Sequence, residues 1–399
     1  MNVFKAIYCR TFQLIMKVAI PFLPYRQPKI LQTYDEIVKI LKEKNIGKVL
    51  LVTDKGVEKC GLTDGLTETL HSGAIEVAVY DETMPNPTVE AVENAVEIYK
   101  KNLCQAIIAL GGGSAMDLAK ACGARIVRPK KSLIKMGGLL KVRKKLPPLI
   151  AIPTTAGTGS ETTIAAVITD GATHRKYAIN DFSLIPRYAV LNYNLTLKLP
   201  EDLTAYTGMD AMTHAVEAYI GRSTTKDTRR KAIDAIKLIN ENIEKCYFTP
   251  EDIEARQNML FASHYAGIAF TKSYVGYVHA VAHSLSGRYG LGHGLTNAVL
   301  LPVVLSLYGK KIHKKLKKLA VLCGIAQKDE SKQVCAEKFI NRIKELNKTM
   351  NVPEKFDVIE DKDIPQMAKY ADREGNPLYP VPVLMNAKQL EKIYYMVKA

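Results

Sequence analysis

The chain has 399 residues, 47% apolar and 24% charged, with a formal net charge of +16. That length supports two domains with a large buried core, and the apolar-to-charged balance excludes a disordered chain. No run of about 18 uncharged apolar residues occurs, so no membrane-spanning helix is expected. The seven cysteines are scattered without a CxxC pair. They point to free thiols in a reducing, cytoplasmic compartment rather than to a disulfide frame or a cysteine zinc site.

Residues 1–30 form an atypical amphipathic opening. Read as a helix from Asn2, Asn2, Lys5, Arg10, Gln13 and Lys17 share one arc, and Phe4, Ile7, Phe12, Leu14, Ile15, Val18 and Ile20 cover the rest. Pro21 stops the pattern. Arg10 and Lys17 interrupt the apolar stretch and no small-residue cleavage site follows, so a secretory signal is not expected. Two readings stay open for residues 1–25: peripheral contact with a membrane surface or partner, or a helix packed on its own domain. Further positive charge collects in residues 128–145 and in the six lysines of 310–318. No aromatic residues interleave either run, so nucleic acid is not expected as a partner, and a solvated basic face is the simpler reading.

From residue 48 the pattern alternates. KVLLVT (48–53), EVAVY (76–80), AIIAL (106–110), LIAI (149–152) and YAVLN (188–192) read as strands. Helical segments such as 89–102 separate them. Strands alternating with helices imply a parallel sheet covered on both faces. After Pro200 the segments 204–221, 227–245, 251–271 and 332–350 read as helices. The expected architecture is therefore an α/β dinucleotide-binding domain over 1–199 and an all-helical metal-binding and catalytic domain over 200–399.

Two loops in the first part suit a phosphate-bearing ligand. Strand 106–110 runs into Gly111, Gly112, Gly113 and Ser114 and then a helix. Glycines let a backbone approach phosphate closely, and the helix start offers free N–H groups and a positive dipole end. A tight turn with a capped helix has the same signature. Strand 149–152 runs into PTTAGTGSE, with Thr154, Thr155 and Thr158 at the carboxyl end of a strand, where open α/β sheets bind ligands. Asp54 ends strand 48–53. It suits ribose hydroxyls and would repel the extra phosphate of NADP, although it also suits a helix start.

The second part carries a candidate metal constellation. Asp210 and His214 are four apart, as are His279 and His283, so each pair shares a helix face. His293 lies fourteen residues beyond His279, about 21 Å along a continuous helix and too far to share a metal. Gly287, Gly290, Gly292 and Gly294 interrupt that stretch, so the chain can turn back and start a new helix at His293. A carboxylate and several imidazoles suit Fe²⁺, Zn²⁺, Mn²⁺ or Co²⁺. His264 and His313 lack such partners and read as structural or surface residues.

GGGSAMDLAK, IPTTAGTGSE, GMDAMTHAVEAY and VHAVAHSLSGRYGLGHGLTNAVLLP, in this order and spacing, resemble the iron-containing alcohol dehydrogenase family. The resemblance spans roughly residues 45–310. It implies metal ligands at Asp210, His214, His279 and His293, with Fe²⁺ first and Zn²⁺ second. It implies NAD contacts at Asp54, Asn86, Gly112, Gly113, Ser114, Thr154, Thr155, Thr158 and Lys176. His283 matches a histidine that lines the active site without being a principal ligand, and is the candidate proton relay. The implied reaction is hydride transfer between nicotinamide and a small alcohol or aldehyde, by a homodimer. The sequence departs from the family at its first 45 residues, at Asn192-Tyr193 where Asp-Pro is typical, and at Ile164 where many members are polar. Ile164 implies a more apolar substrate pocket. The alternatives are a glycerol or polyol dehydrogenase, or a dehydroquinate synthase, of the same scaffold, and a non-enzymatic membrane-associated relative.

Overall fold

The computed structural model describes residues 1–171 and 175–399; His174 lies outside the described residues. The chain forms two compact units, Pro24–Leu199 and Met1–Leu23 with Pro200–Ala399. Helix α1 (Val3–Ala19) opens the chain, capped by the Asn2 side chain on Phe4 N–H.

The first unit is built on β1 (Lys29–Leu31), β2 (Lys48–Val52), β3 (Glu76–Tyr80), β4 (Ala106–Gly111), β6 (Leu149–Pro153) and β9 (Tyr188–Val190). They form one parallel sheet in the order β1-β9-β6-β4-β2-β3. The five strands expected from composition are all present. β1 was not expected, because three residues carry too little pattern. Strand β5 (Gly138–Leu139), β7 (Ala165–Asp170) and β8 (Arg175–Asn180) make a second sheet in the order β5-β8-β7.

Among the described residues six helices serve this unit: α2 (Tyr34–Glu43), α3 (Lys55–Lys59), α4 (Asp64–Ser72), α5 (Val89–Lys101), α6 (Gly113–Val127) and α7 (Leu133–Met136). Side chains alternate across the pleat. Leu50, Val52, Ile107, Ala109 and Ala151 pack with α5 and α6 on one face. Val49, Leu51, Ile108, Leu110 and Ile152 pack with α2 and α4 on the other. Burial on both faces is why these strands read as unbroken apolar runs. The strand after β2 lies on one side of it and β4 on the other, so the sheet reverses its order there. Open α/β sheets bind ligands at the carboxyl ends of strands where the order reverses, here beside Asp54 and the turn at Gly112.

The second unit is helical among the described residues. It contains α1, α8 (Glu201–Ile220), α9 (Lys226–Phe248), α10 (Ile253–Ser273), α11 (Tyr277–Tyr289), α12 (His293–Tyr308), α13 (His313–Leu322), α14 (Lys332–Thr349), α15 (Ile364–Gly375) and α16 (Ala387–Val397). Residues 1–23, expected from the sequence to belong with the α/β part, pack here instead. Gln13 Nε2 donates to the carbonyls of Pro377 and Tyr379, and Arg10 to those of Val381 and Pro382. Four hydrogen bonds to backbone carbonyls fix α1 to this unit, a long-range pairing without any local sequence signal.

Candidate functional site

In the helical unit, the buried middle of α8 presents Asp210 and His214, one turn apart. Helix α11 presents His279 and His283. Gly290, at φ 70°, closes α11 in the left-handed conformation that glycine adopts without steric cost. The chain turns there and α12 begins at His293, as the glycine spacing predicts. Asp210 Oδ1 comes within 3.5 Å of His293 Nε2 and 4.0 Å of His279 Nε2, and Asp210 Oδ2 within 3.9 Å of His214 Nδ1. One ligand atom from each of these four residues lies within 4.8 Å of the others. Asp210, His214 and His279 are buried and His293 is half-buried.

This donor set fits a divalent metal. Converging lone pairs in a buried place are costly without a cation among them, and one carboxylate with three imidazoles suits Fe²⁺ or Zn²⁺. Two residues not singled out from the sequence complete the cluster. Glu217, fully buried on α8, accepts from the N–H groups of Gly276 (2.7 Å) and Val278 (2.9 Å), and its Oε2 lies 2.7 Å from His279 Nδ1. His279 Nδ1–H is therefore the donor, and its Nε2 lone pair is left for the cluster. Burial pushes the Glu217 carboxyl up to about 7 against those hydrogen bonds. Burial, reinforced by His214, His293 and His283, holds His279 well below the usual histidine range, in its neutral, ligating form. Asn297 Nδ2 donates to Asp210 Oδ1 at 2.7 Å and lies 3.1–3.2 Å from the Nε2 atoms of His293 and His279.

Both residues had a sequence signal. Glu217 stands at positions seven and three after Asp210 and His214, and Asn297 four after His293, so each shares the ligand face of its helix. Glu374 had none, being 91 residues from the side chain it meets. Its Oε1 lies 2.6 Å from His283 Nδ1 and accepts from Tyr379 Oη at 2.7 Å. His283 stacks on His293, ring centroids 5.1 Å apart, outside the four-residue cluster.

In the α/β unit the two predicted loops converge. Gly112 is the N-cap of α6 and makes no side-chain cap bond, so the first-turn N–H groups of α6, from Gly113 and Ser114 onward, have no partner of that kind. A Cβ at Gly113 would stand 2.8 Å from Thr158 Cγ2, and one at Gly112 3.6 Å from Thr155 Cγ2. Only glycine permits the approach at 113. Thr154 N–H donates to Gly111 O, Thr158 Oγ1 accepts from Ser160 N–H, and Thr155 Oγ1 is buried without a protein partner. That orphaned hydroxyl beside an open helix start fits an anionic ligand group.

Asp54 caps a helix, one of the two roles its position allows. Its Oδ1 caps α3 on Gly56 and Val57 N–H, and its Oδ2 faces Gly111. Asn86 holds φ 59° in the MPNP turn. Pro87 O of that turn accepts from Thr169 N–H, and Thr169 pairs with Lys176 across β7 and β8. Burial lowers the Lys176 pKa.

Lys120, fully buried on α6, was not singled out. Its ammonium donates to Ser160 O, Ser160 Oγ, Thr163 Oγ1 and Ala165 O at 2.6–2.9 Å. Asp117 Oδ1 accepts from Ser160 Oγ and its Oδ2 from Val167 N–H. The pair ties α6 to the loop after β6. The signal was a lysine flanked by the apolar residues Leu118, Ala119, Ala121 and Cys122. Of the departures from the family pattern, Asn192 caps the short helix at Tyr193–Thr196 through Asn194 N–H, and Ile164 is buried.

Residues 29–193 match the family described as iron-containing alcohol dehydrogenase, and residues 204–397 the C-terminal part of the Fe-containing alcohol dehydrogenase family. This chain belongs to the iron-containing alcohol dehydrogenase family. It is 36% identical to a 1,3-propanediol dehydrogenase of Citrobacter freundii over 94% of this chain and 97% of the relative. It is 36% identical to an NAD-dependent methanol dehydrogenase of Bacillus methanolicus over 84% and 88%. A crystal structure of a 1,3-propanediol oxidoreductase superposes with TM-score 0.89 at 33% identity, covering 94% of this chain and 99% of that one. As a family member the chain is an oxidoreductase of the NAD-linked alcohol dehydrogenase class, which sets aside the dehydroquinate synthase and non-enzymatic alternatives.

Proposed function

We propose that this chain interconverts a small primary alcohol and its aldehyde, with Asp210, His214, His279 and His293 as the metal ligands and His283 as the proton relay. The observation that carries the reading is the convergence of those four donors, on three helices, with Glu217 holding His279 in its ligating tautomer. A divalent metal, Fe²⁺ first and Zn²⁺ second, supplies a Lewis acid for the alcohol or carbonyl oxygen, and nicotinamide supplies or accepts the hydride.

The remaining work belongs to side chains. His283 holds a proton on the ring, and Glu374, itself bonded by Tyr379, steadies that ring through Nδ1. The α6 start with Gly112, Gly113 and Ser114 takes the pyrophosphate, assisted by Thr154, Thr155 and Thr158. Asp54 accepts from the ribose hydroxyls and disfavours NADP. Asn86 and Lys176 line the same cofactor. Substrates with short unbranched chains fit the buried apolar Ile164 and the names of the relatives, and a diol or polyol is the second reading, favoured by the propanediol dehydrogenases.

A cytoplasmic location is supported by seven cysteines that are all free thiols. A homodimer, expected from the sequence, predicts a light-scattering mass of twice the 44.2 kDa chain. The deciding experiment is NADH oxidation with a panel of short aldehydes, diol-derived aldehydes included, on metal-stripped protein reloaded with Fe²⁺, Zn²⁺ or Mn²⁺. Turnover that needs metal and disappears in His279→Ala is expected. Turnover retained after stripping, or retained in His279→Ala, overturns the ligand assignment.

A further inference from the structure

Helix α1 is amphipathic in the opposite sense to a helix that packs on a protein core. Its inward face carries Cys9 and Gln13, both buried, and Arg10, with Gln13 and Arg10 spent on backbone carbonyls of residues 377–382. Its outward face carries Val3, Phe4, Ile7, Leu14, Ile15 and Val18, each between 59% and 81% exposed, and Phe22 follows at 85%. At about 100° per residue those six side chains occupy roughly one third of the helix circumference. Single exposed apolar residues are ordinary, but a contiguous apolar strip marks a contact surface.

Cations border the strip. Lys5 and Lys17 stand at its two edges, and Lys5 is held by Asp372 at 2.8 Å. Arg229, Arg222 and Lys17 each lie close enough to Lys315 that their charges add to burial in lowering its ammonium to about 8. Arg222 and Arg229 are exposed, as are Lys310, Lys311 and Lys314 on the turns before Lys315. No single helix among the described residues is long and apolar enough to cross a membrane. An apolar strip flanked by lysines is the form of a helix that lies in the plane of a bilayer surface, with its apolar side chains at the acyl boundary and its cations among anionic headgroups.

We propose that α1 docks this enzyme on an anionic phospholipid surface, with Val3, Phe4, Ile7, Leu14, Ile15 and Val18 inserted and Lys17 and the neighbouring basic residues on the headgroups. The inference is independent of the metal and cofactor assignments. The charge balance favours anionic lipid over a second copy of this chain, which would bring the same cations face to face.

The test is flotation of the full chain with vesicles of phosphatidylcholine alone and of equal parts phosphatidylcholine and phosphatidylglycerol. The chain should float with the anionic vesicles, weakly with the neutral ones, and detach as salt rises. The double variant Phe4→Ser with Ile15→Ser should lower the bound fraction roughly ten-fold or more, and Lys17→Glu should weaken binding to anionic vesicles alone. Both sites face solvent, so thermal stability and NADH oxidation in solution should stay at wild-type values. No flotation with anionic vesicles, or flotation unchanged in the double variant, overturns the proposal. So does a light-scattering mass that halves in the double variant without vesicle binding, which would make a second copy the occupant.

Discussion

His279 receives its tautomer from Glu217, and that single contact yields two residue-scale predictions. Glu217→Gln keeps the size but weakens the acceptor for His279 Nδ1–H, and should lower metal affinity about 10- to 100-fold, read by competition with a chromophoric chelator. An unchanged affinity would make Glu217 a buried structural carboxylate only. His279→Ala removes one of the four proposed ligands. It should lose bound metal by elemental analysis and reduce kcat/KM by about a thousand-fold or more, the scale of several kcal/mol of Lewis-acid stabilisation. His279 and Glu217 were legible to different degrees. The histidine stands in an i,i+4 pair, whereas a glutamate in a helix is ordinarily a solvated residue, and only its place on the ligand face distinguishes it.

Helix α6 and the loop after β6 act as one element because Lys120 joins them. Lys120→Met leaves Asp117 half-buried without its cation and should destabilise the fold by about 3–5 kcal/mol. The lysine also carries a pH signature. Burial holds its ammonium at about 8 in the fold, against 10.5 for an ordinary lysine. Between those values the unfolded chain binds more protons, so this residue's share of stability rises with pH across that window, by up to about 1.4 kcal/mol per pH unit. Denaturant unfolding at both ends of the window should show that rise in the wild type and its loss in Lys120→Met. Gly113→Ala, whose Cβ meets Thr158 at 2.8 Å, should raise the KM for NADH while metal binding stays unchanged. Equal KM values would remove this loop from the cofactor site.

Metal loading should stabilise the helical unit by mass action. At about a thousand-fold excess over the dissociation constant the gain is about 4 kcal/mol, so stripping with a chelator should lower the unfolding temperature and Fe²⁺ or Zn²⁺ should restore it. An unfolding temperature indifferent to both metals would mean that the four donors are held by the fold alone.

Over the whole chain, local pattern specifies the alternation of strands and helices between 48 and 192, the change to helix after Pro200, and the two glycine- and hydroxyl-rich loops. The reason is that each is written in local periodicity or in glycines and hydroxyls at strand ends. The spacing of Asp210 with His214, of His279 with His283, and His293 beyond a glycine-rich stretch pointed to a candidate metal constellation, the resemblance narrowed it to Asp210, His214, His279 and His293, and the glycines after His283 announced the turn that brings them together. What depends on distant pairing was fixed by packing in three dimensions. Short strands such as β1 exist because β9 pairs with them. Glu374 reaches His283 across 91 residues. The orientation of α1 was open in the sequence, since a helix with apolar residues on most of its surface can turn either side inward. It was settled by carbonyls at 377–382 that bind Arg10 and Gln13 and leave the apolar side facing out.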